Sequence, residues 1–485
     1  MGYVLKIEGF LLLAPAAVDL IYNEGHFLSF FIFAVVGILL GTVITVKKPK
    51  NQVFFAKEGF VCVALSWIVM SVFGCLPFVL NGDIPRFADA FFEIVSGFTT
   101  TGSTVLTDVE ALSHASLFWR SFSHWIGGMG ILVFLLSVLP LTGGATIHLM
   151  RAESPGPQVG KMVPRMKDTA IILYIIYTVM TLLEIVILIC GKMQVFDAIV
   201  LSFGTAGTGG FTIKNSGVAE YSAFSQYVIS IFMLLFGVNF NVYFFAIRRR
   251  FKEALSVEEK NWYFLIVAVA VAVITFNTFN TNSAFDTLEK AFRHSLFQVS
   301  SIITTTGYAT VDFEALYPEL SKLLLVLIMF CGACAGSTGG GIKVSRVVIL
   351  AKSVRTEILR IIHPRAVRNI RFERKILDKD VVRSVYIFLA AYFAIFSFSI
   401  IIITIDGFDF TTNFTAVTST INNIGPGLGK VGPYGNFSEY SDLSKYVLSF
   451  NMLAGRLEIF PILILFSSYT WKWSARAGKL KNLLK

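Results

Sequence analysis

Ser96-Gly97-Phe98-Thr99-Thr100-Thr101-Gly102-Ser103-Thr104 decides how this chain is read. The stretch lies between two long apolar runs and carries no charge, so it is not an ordinary water-facing loop. Related stretches return as Phe203-Gly204-Thr205-Ala206-Gly207-Thr208-Gly209-Gly210-Phe211-Thr212, as Ser300-Ser301-Ile302-Ile303-Thr304-Thr305-Thr306-Gly307-Tyr308, and more weakly as Ser419-Thr420-Ile421-Asn422-Asn423-Ile424-Gly425-Pro426-Gly427. Aligning Gly102, Gly209, Gly307 and Gly425 puts Ser96, Ser301 and Ser419 six residues upstream in three of the four. The spacing predicts four segments that converge on one axis and line a cation path with backbone carbonyls.

The surroundings of these segments are apolar. Of the 485 residues, 55% are hydrophobic and only 15% charged, and mean hydropathy is +0.70. Soluble domains carry roughly 25% charged residues, so a polytopic membrane protein in contact with a lipid bilayer is expected. The net charge of +10 sits in loops between apolar runs. That is the positive-inside pattern and not a nucleic-acid-binding face. The first apolar run is followed at once by a second, with no small-residue cleavage site, so it reads as a retained hairpin and not a signal peptide. The five cysteines lie in or beside apolar runs, and Cys331-x-x-Cys334 reads as helix packing in a small-residue run.

Working outward, runs at about 3–22 and 27–46 form an N-terminal hairpin. Run 59–80 then leaves the side of the basic loop 47–57. Segment 87–99, about a dozen residues and roughly 18 Å as a helix, is too short to cross a core of about 30 Å. Run 117–141 returns to a basic loop holding Arg151, Lys161, Arg165 and Lys167. The same order is repeated by 169–190, 196–207 and 224–247, by 262–280, 291–303 and 321–351, and by 384–405, 411–422 and 444–470, ending in Lys472, Arg476, Lys479 and Lys481. The implied divisions are 1–46, 57–142, 168–248, 260–360 and 381–471. Each unit makes two crossings and so starts on the same side, which requires parallel repeats around an axis along the membrane normal. Non-helical backbone at membrane depth needs a cavity to line, and such symmetry supplies one.

The expected fold class is an all-α polytopic membrane protein. It has a two-helix N-terminal hairpin plus four parallel outgoing-helix, pore-helix and return-helix repeats around a central, potassium-channel-like pore. Both termini are expected in the cytoplasm. A dehydrated K+ is held by rings of carbonyl oxygens without fixed negative charge. The expected filter comprises Thr100, Thr101 and Gly102, Gly207, Thr208 and Gly209, Thr305, Thr306 and Gly307, and Asn423, Ile424 and Gly425. K+ is the permeant ion, with no organic cofactor. No Asp or Glu ring occupies these positions, which excludes a divalent-cation filter. An enzyme would need a nucleophile–base pair or metal ligands. His124 and His294 read as lying near the outer boundaries, without companions at ligand spacing.

Thr99-Thr100-Thr101-Gly102, Thr208-Gly209-Gly210-Phe211, Asn422-Asn423-Ile424-Gly425-Pro426-Gly427, Gly336-Ser337-Thr338-Gly339-Gly340-Gly341 and Gly455-Arg456-Leu457-Glu458-Ile459-Phe460 together resemble the TrkH/TrkG potassium-uptake membrane subunits. These share a superfamily with KtrB and the plant HKT transporters. The resemblance spans nearly the whole chain. It implies a homodimer, a cytoplasmic ring of TrkA-type nucleotide-binding (RCK) subunits, and filter glycines that favour K+ over Na+. It also implies that Gly336, Ser337, Thr338, Gly339, Gly340 and Gly341 form a mobile gate below the filter, and that Arg456 stands in the permeation path. On the residues alone, the glycine run cannot hold a rigid helix. It is not a phosphate loop, because Ile342 and Lys343 follow where Lys-Ser/Thr is required.

Three further features leave alternatives open. Arg456, in the last crossing, faces either the pore or the carbonyls of a neighbouring repeat, and Glu458 two residues on is not its obvious partner. Glu184 is read as a paired structural residue or, less readily, as a coupling site for a proton- or sodium-driven K+ symporter. The basic stretch from Lys352 to Lys375 meets anionic lipid headgroups or a docked cytoplasmic ring.

Overall fold

The computed structural model describes residues 1–46, 56–130, 166–281, 285–366 and 368–471. The loop through Lys47, Lys48 and Lys50, the end of the first return run, Arg151, Lys161 and Arg165, and Lys472, Arg476, Lys479 and Lys481 lie outside the described residues. Nearly everything described is helix, with one two-stranded hairpin, Arg371–Phe372 against Lys375–Ile376.

The first apolar run forms two helices, Gly2–Leu11 and Leu13–Tyr22, broken where Pro15 has no N–H to give the Leu11 carbonyl. They pack on Phe27–Val46 through small residues. A Cβ on Gly9 would meet the Ala34 carbonyl, and one on Gly41 would meet that of Gly2. The helical stretches Lys57–Asn81, Ile171–Cys190, Glu258–Thr281 and Lys379–Asp406 are also long and apolar enough to cross a membrane. Val43, Phe276 and Ile401 are exposed on them, as lipid-facing residues must be.

Each of these last four is followed by a short helix: Phe87–Phe98, Val195–Gly207, Leu288–Ile303 and Phe410–Ile421. Their ends fall within three residues of the segments expected from sequence. Each return helix then packs on the short helix of the next unit: His114–Gly128 on Val195–Gly207, Ala223–Phe236 on Leu288–Ile303, Glu319–Cys331 on Phe410–Ile421, and Asp442–Arg456 back on Phe87–Phe98. Four parallel units thus close into one ring.

The return crossings correct the sequence reading. Runs 224–247 and 444–470 are not continuous. Ala223–Phe236 turns by 90° into Phe240–Ile247, where Asn239 caps the second helix by accepting from the Asn241 N–H at 3.0 Å. Asp442–Arg456 stops at Glu458 and Ile459, both at positive φ (56° and 68°), before Phe460–Leu463 begins with Pro461 near its start. In the third unit Glu319–Cys331 gives way to the glycine-rich loop before Val344–Ile362, as the glycine run leads one to expect. Hydropathy does not register the other two breaks, because the residues that make them are flanked by apolar ones on both sides.

Candidate functional site

Each short helix runs straight into a non-helical segment of the same shape. Thr100, Thr208, Thr305 and Asn423 are all left-handed, with φ between 56° and 59°. Two residues later a glycine is left-handed in each: Gly102, Gly210, Gly307 and Gly425. The hydrogen bonds agree. The N–H groups of Thr101, Gly209, Thr306 and Ile424 donate to the carbonyls of Ser96, Gly204, Ser301 and Ser419, at 2.8–2.9 Å. The second segment therefore differs from its sequence alignment by one residue. Gly210, not Gly209, is the counterpart of Gly102, and the structurally equivalent trio is Thr208, Gly209 and Gly210, which leaves Gly207 as the last residue of its helix. Two adjacent glycines look alike as letters, and only the backbone distinguishes them. With this register the residue six positions before the glycine is Gly204, the place of Ser96, Ser301 and Ser419.

The four segments meet in a closed circle. A Cβ on Gly102 would strike the Gly209 carbonyl, and one on Gly210 that of Thr306. One on Gly307 would strike that of Ile424, and one on Gly425 would lie 2.8 Å from that of Thr101. Only a residue without a side chain fits at each contact. No backbone N–H of the described residues donates to the carbonyls of Thr101, Gly209, Thr306 or Ile424. Four uncharged oxygens, one from each segment, thereby lie at the contacts of the circle. Immediately behind them are the C-terminal ends of the short helices, whose partial negative charge favours a cation.

Side chains brace this backbone. Thr99 and Thr101 hydroxyls pair at 2.8 Å, as do those of Thr304 and Thr306. Asn423 Nδ2 donates to Thr101 Oγ1 at 3.0 Å and to the Met452 carbonyl at 2.8 Å. Ser301 Oγ donates to the Tyr308 carbonyl, and Ser419 Oγ to that of Gly425. In the second unit the hydroxyl of Tyr308 fills the space that Gly204 leaves.

A network that sequence reasoning missed joins segments one and two. Glu93 and Arg120 are both buried. Arg120 Nε and Nη2 donate to Glu93 Oε1 at 2.8 and 2.7 Å. Glu93 also accepts from Thr104 Oγ1 at 2.9 Å and the Val105 N–H at 3.0 Å. Arg120 Nη1 donates to the Thr212 carbonyl at 3.3 Å, and its guanidinium lies 4.0 Å from the centre of the Phe211 ring. His124 is fully buried. It is wedged between the two segments, with the Phe211 N–H donating to Nε2 at 3.3 Å, which leaves Nδ1–H to donate to the Gly97 carbonyl at 2.7 Å. The available signal was an acid inside a short apolar helix and a base in the next.

Beneath segments three and four lies the glycine-rich loop. The Gly340 N–H donates to Thr305 Oγ1 at 2.6 Å. A Cβ on Gly339 would meet the Thr304 carbonyl, and one on Gly340 that of Asn422. The Phe240 N–H donates to the Gly336 carbonyl at 3.0 Å, and Ser337 Oγ to that of Cys334 at 2.6 Å. Lys343 Nζ donates to the Gly339 carbonyl. Arg456 reaches from the fourth unit to the third and the first. Nη1 donates to the Thr338 carbonyl at 2.7 Å, and Nη2 donates to the Gly128 carbonyl at 2.7 Å and to that of Gly127. Arg456 thus binds carbonyls of neighbouring units, one of its two expected alternatives, and it lines a cavity shared with the loop. Glu458 pairs instead with Arg346. Glu184 is buried and does not line this cavity. Cys331 and Cys334 are buried free thiols at the start of the loop.

A single chain whose four parallel units close a ring of backbone oxygens inside a membrane-spanning helical bundle defines a polytopic membrane protein of channel-like architecture. The TrkH profile, described as a cation transport protein, matches residues 26–472, and the chain belongs to that family. It is 36% identical to the Trk system potassium uptake protein TrkH of Salmonella typhimurium over 97% of each chain. It is 35% identical to the Trk system potassium uptake protein TrkG of Escherichia coli, again over 97% of each. The crystal structure of the potassium transporter TrkH from Vibrio parahaemolyticus matches with a TM-score of 0.85 and 34% identity, covering 97% of this chain and 98% of that one.

Proposed function

We propose that this chain is the membrane subunit of a bacterial potassium-uptake system in the cytoplasmic membrane, with both termini inside. The observation that carries the reading is the closed circle of Gly102, Gly210, Gly307 and Gly425 against the carbonyls of Thr101, Gly209, Thr306 and Ile424. A K+ ion entering that circle exchanges its water for neutral oxygens held by the braces behind them, so dehydration is offset without trapping the ion by a fixed charge. The relatives named as potassium uptake proteins support the choice of ion.

The loop 336–341 and Arg456 act as the gate in this reading. The loop touches the filter's inner side through Thr304, Thr305, Asn422 and Asn423, and a guanidinium directly below repels the next cation. Opening requires the loop to leave Thr305 and Arg456 to leave the Thr338 carbonyl. The relatives' names refer to a system, and we infer that a cytoplasmic TrkA-type nucleotide-binding ring drives this movement on a homodimer of the chain. The deciding experiment is rubidium uptake into vesicles reconstituted with the purified chain, with potassium or sodium as competitor. Potassium should compete and sodium should not. Equal competition would remove the selectivity assignment, and no uptake in any variant with an altered loop would remove the conduction assignment.

A further inference from the structure

Glu258 and Glu259 open the outgoing helix Glu258–Thr281. Glu259 is buried, and a single oxygen, Oε1, accepts from the Ala335 N–H at 2.7 Å and the Ser345 N–H at 3.0 Å. Those two amides bracket the glycine-rich loop, one just before Gly336 and the other shortly after Gly341. One carboxylate thus ties the loop's two ends together, with hydrogen bonds of the stronger, charge-assisted kind.

The same helix start is tied to the hairpin Arg371–Ile376. The Glu259 N–H donates to Glu373 Oε1 at 3.1 Å, and the Glu373 N–H donates to Glu258 Oε2 at 3.3 Å. Lys352 pairs with Glu258 and donates to the Arg371 carbonyl at 2.8 Å. Glu373 and Arg374 form the hairpin's tip, both left-handed at φ 50° and 61°. Tips of that shape favour Asn-Gly. A glutamate holds one of these strained positions, and its carboxylate is spent on the helix that carries Glu259. Phe372 is buried under the tip, while Arg371, Arg374 and Lys375 are exposed. The hairpin is therefore anchored at one residue and accessible at its neighbours.

We propose that Glu259 is a latch that holds the glycine-rich loop under the filter, and that the hairpin 371–376 is its cytoplasmic handle, so that displacing the hairpin loosens the latch and frees the loop. The proposal rests on the reading of the loop as a gate. Glu259 is a positioning residue here: it touches no permeating ion and acts through the Ala335 and Ser345 amides. Without it those two buried N–H groups lose their acceptor, and conformations in which the loop swings away gain in population.

The test is basal rubidium uptake by the purified full-length chain in vesicles of phosphatidylethanolamine and phosphatidylglycerol. Glu259→Ala should raise uptake about tenfold, the scale of a lost hydrogen bond to a charged group. Glu259→Gln keeps an acceptor oxygen and should stay near the parent. Glu373→Ala should raise uptake about threefold, and Glu259→Ala with Glu373→Ala no further than Glu259→Ala alone, since both act on one latch. Rubidium-over-sodium preference should be unchanged throughout. Uptake at or below the parent's in monodisperse Glu259→Ala overturns the proposal, as does a Gln variant that behaves like Ala, or additivity of the two sites. If Glu259→Ala does not fold, unchanged uptake in Glu373→Ala overturns it. Deletion of Gly339–Gly341 is measured alongside. If the deletion raises uptake and Glu259→Ala does not, the latch fails and the gate stands. If the deletion also leaves uptake unchanged, the gate reading fails and takes the latch with it.

Discussion

The two sides of the circle of four segments are held by different forces. Between segments one and two the joint is ionic and aromatic: Glu93 and Arg120 are buried against each other, Arg120 covers Phe211, and His124 bonds to both Gly97 and Phe211. Beneath segments three and four the supports come from a glycine-rich loop, through the Gly340 N–H on Thr305 and close backbone approaches to Thr304 and Asn422. A buried ion pair cannot be opened in small steps, because parting it strands two charges in a poor solvent. A glycine loop resting on a hydroxyl separates for the loss of about 1 kcal/mol per bond. One side is stiff, and the other is able to yield.

The comparison is broken most severely by removing one charge from the stiff side. Arg120→Met should cost about 3–5 kcal/mol, because Glu93 is left buried without its counter-charge. Thermal unfolding in detergent measures this, and Glu93→Gln added to Arg120→Met should recover part of the loss. A milder midpoint shift than that of an exposed charge removal would mean that the network is ornamental. Next comes the register of segment two. Gly210→Ala forces an L side chain into a left-handed position and onto the Thr306 carbonyl, and should lower the rubidium/sodium uptake ratio about tenfold, or ~1.4 kcal/mol. Gly209→Ala meets the His124 ring instead, so adding His124→Ala should restore the ratio there and should not restore it for Gly210→Ala. The reverse pattern would return the alignment to Gly209.

On the yielding side, Arg456→Ala removes the fixed charge below the filter and the tie to Thr338, and should raise basal uptake about fivefold, ~1 kcal/mol of barrier. Unchanged or lower uptake at equal protein would count against the gate. The smallest effect is expected of Thr305→Val, which deletes the acceptor of the Gly340 N–H and should raise uptake about threefold. Thr100→Val, at the equivalent place in segment one, should leave uptake alone, because its hydroxyl has no described partner. Equal effects of the two valines would erase the distinction between the sides.

The legible parts of this architecture are those written in local pattern. The four short helices were readable because each is bounded by polar residues before it and Thr/Gly punctuation after it, within one apolar-to-polar cycle. The parallel arrangement followed from counting crossings. What was not legible depends on contacts distant in sequence or on conformation. Glu93 and Arg120 are 27 positions apart and on separate helices, so no periodicity joins them. Gly209 and Gly210 are chemically identical, and only φ assigns their places. The break at Gly237–Asn239 lies inside an apolar run that reads as one crossing. The carbonyls that receive Arg456 belong to every residue alike and leave no mark in a sequence.

Among the described residues, Arg456 and the glycine-rich loop each occur once, although the scaffold that holds them occurs four times. Were the pore assembled from four identical chains, four guanidiniums would crowd the same axis. At ~4 Å and an effective dielectric near 20, each pair would repel by about 4 kcal/mol. Four copies of the loop would compete for the space of one. Stringing the quarters on a single polypeptide lifts that restriction: each quadrant keeps the common frame while one carries the glycine-rich loop and another the charge. A pore built this way is free to respond to a stimulus applied off its axis, on one side only.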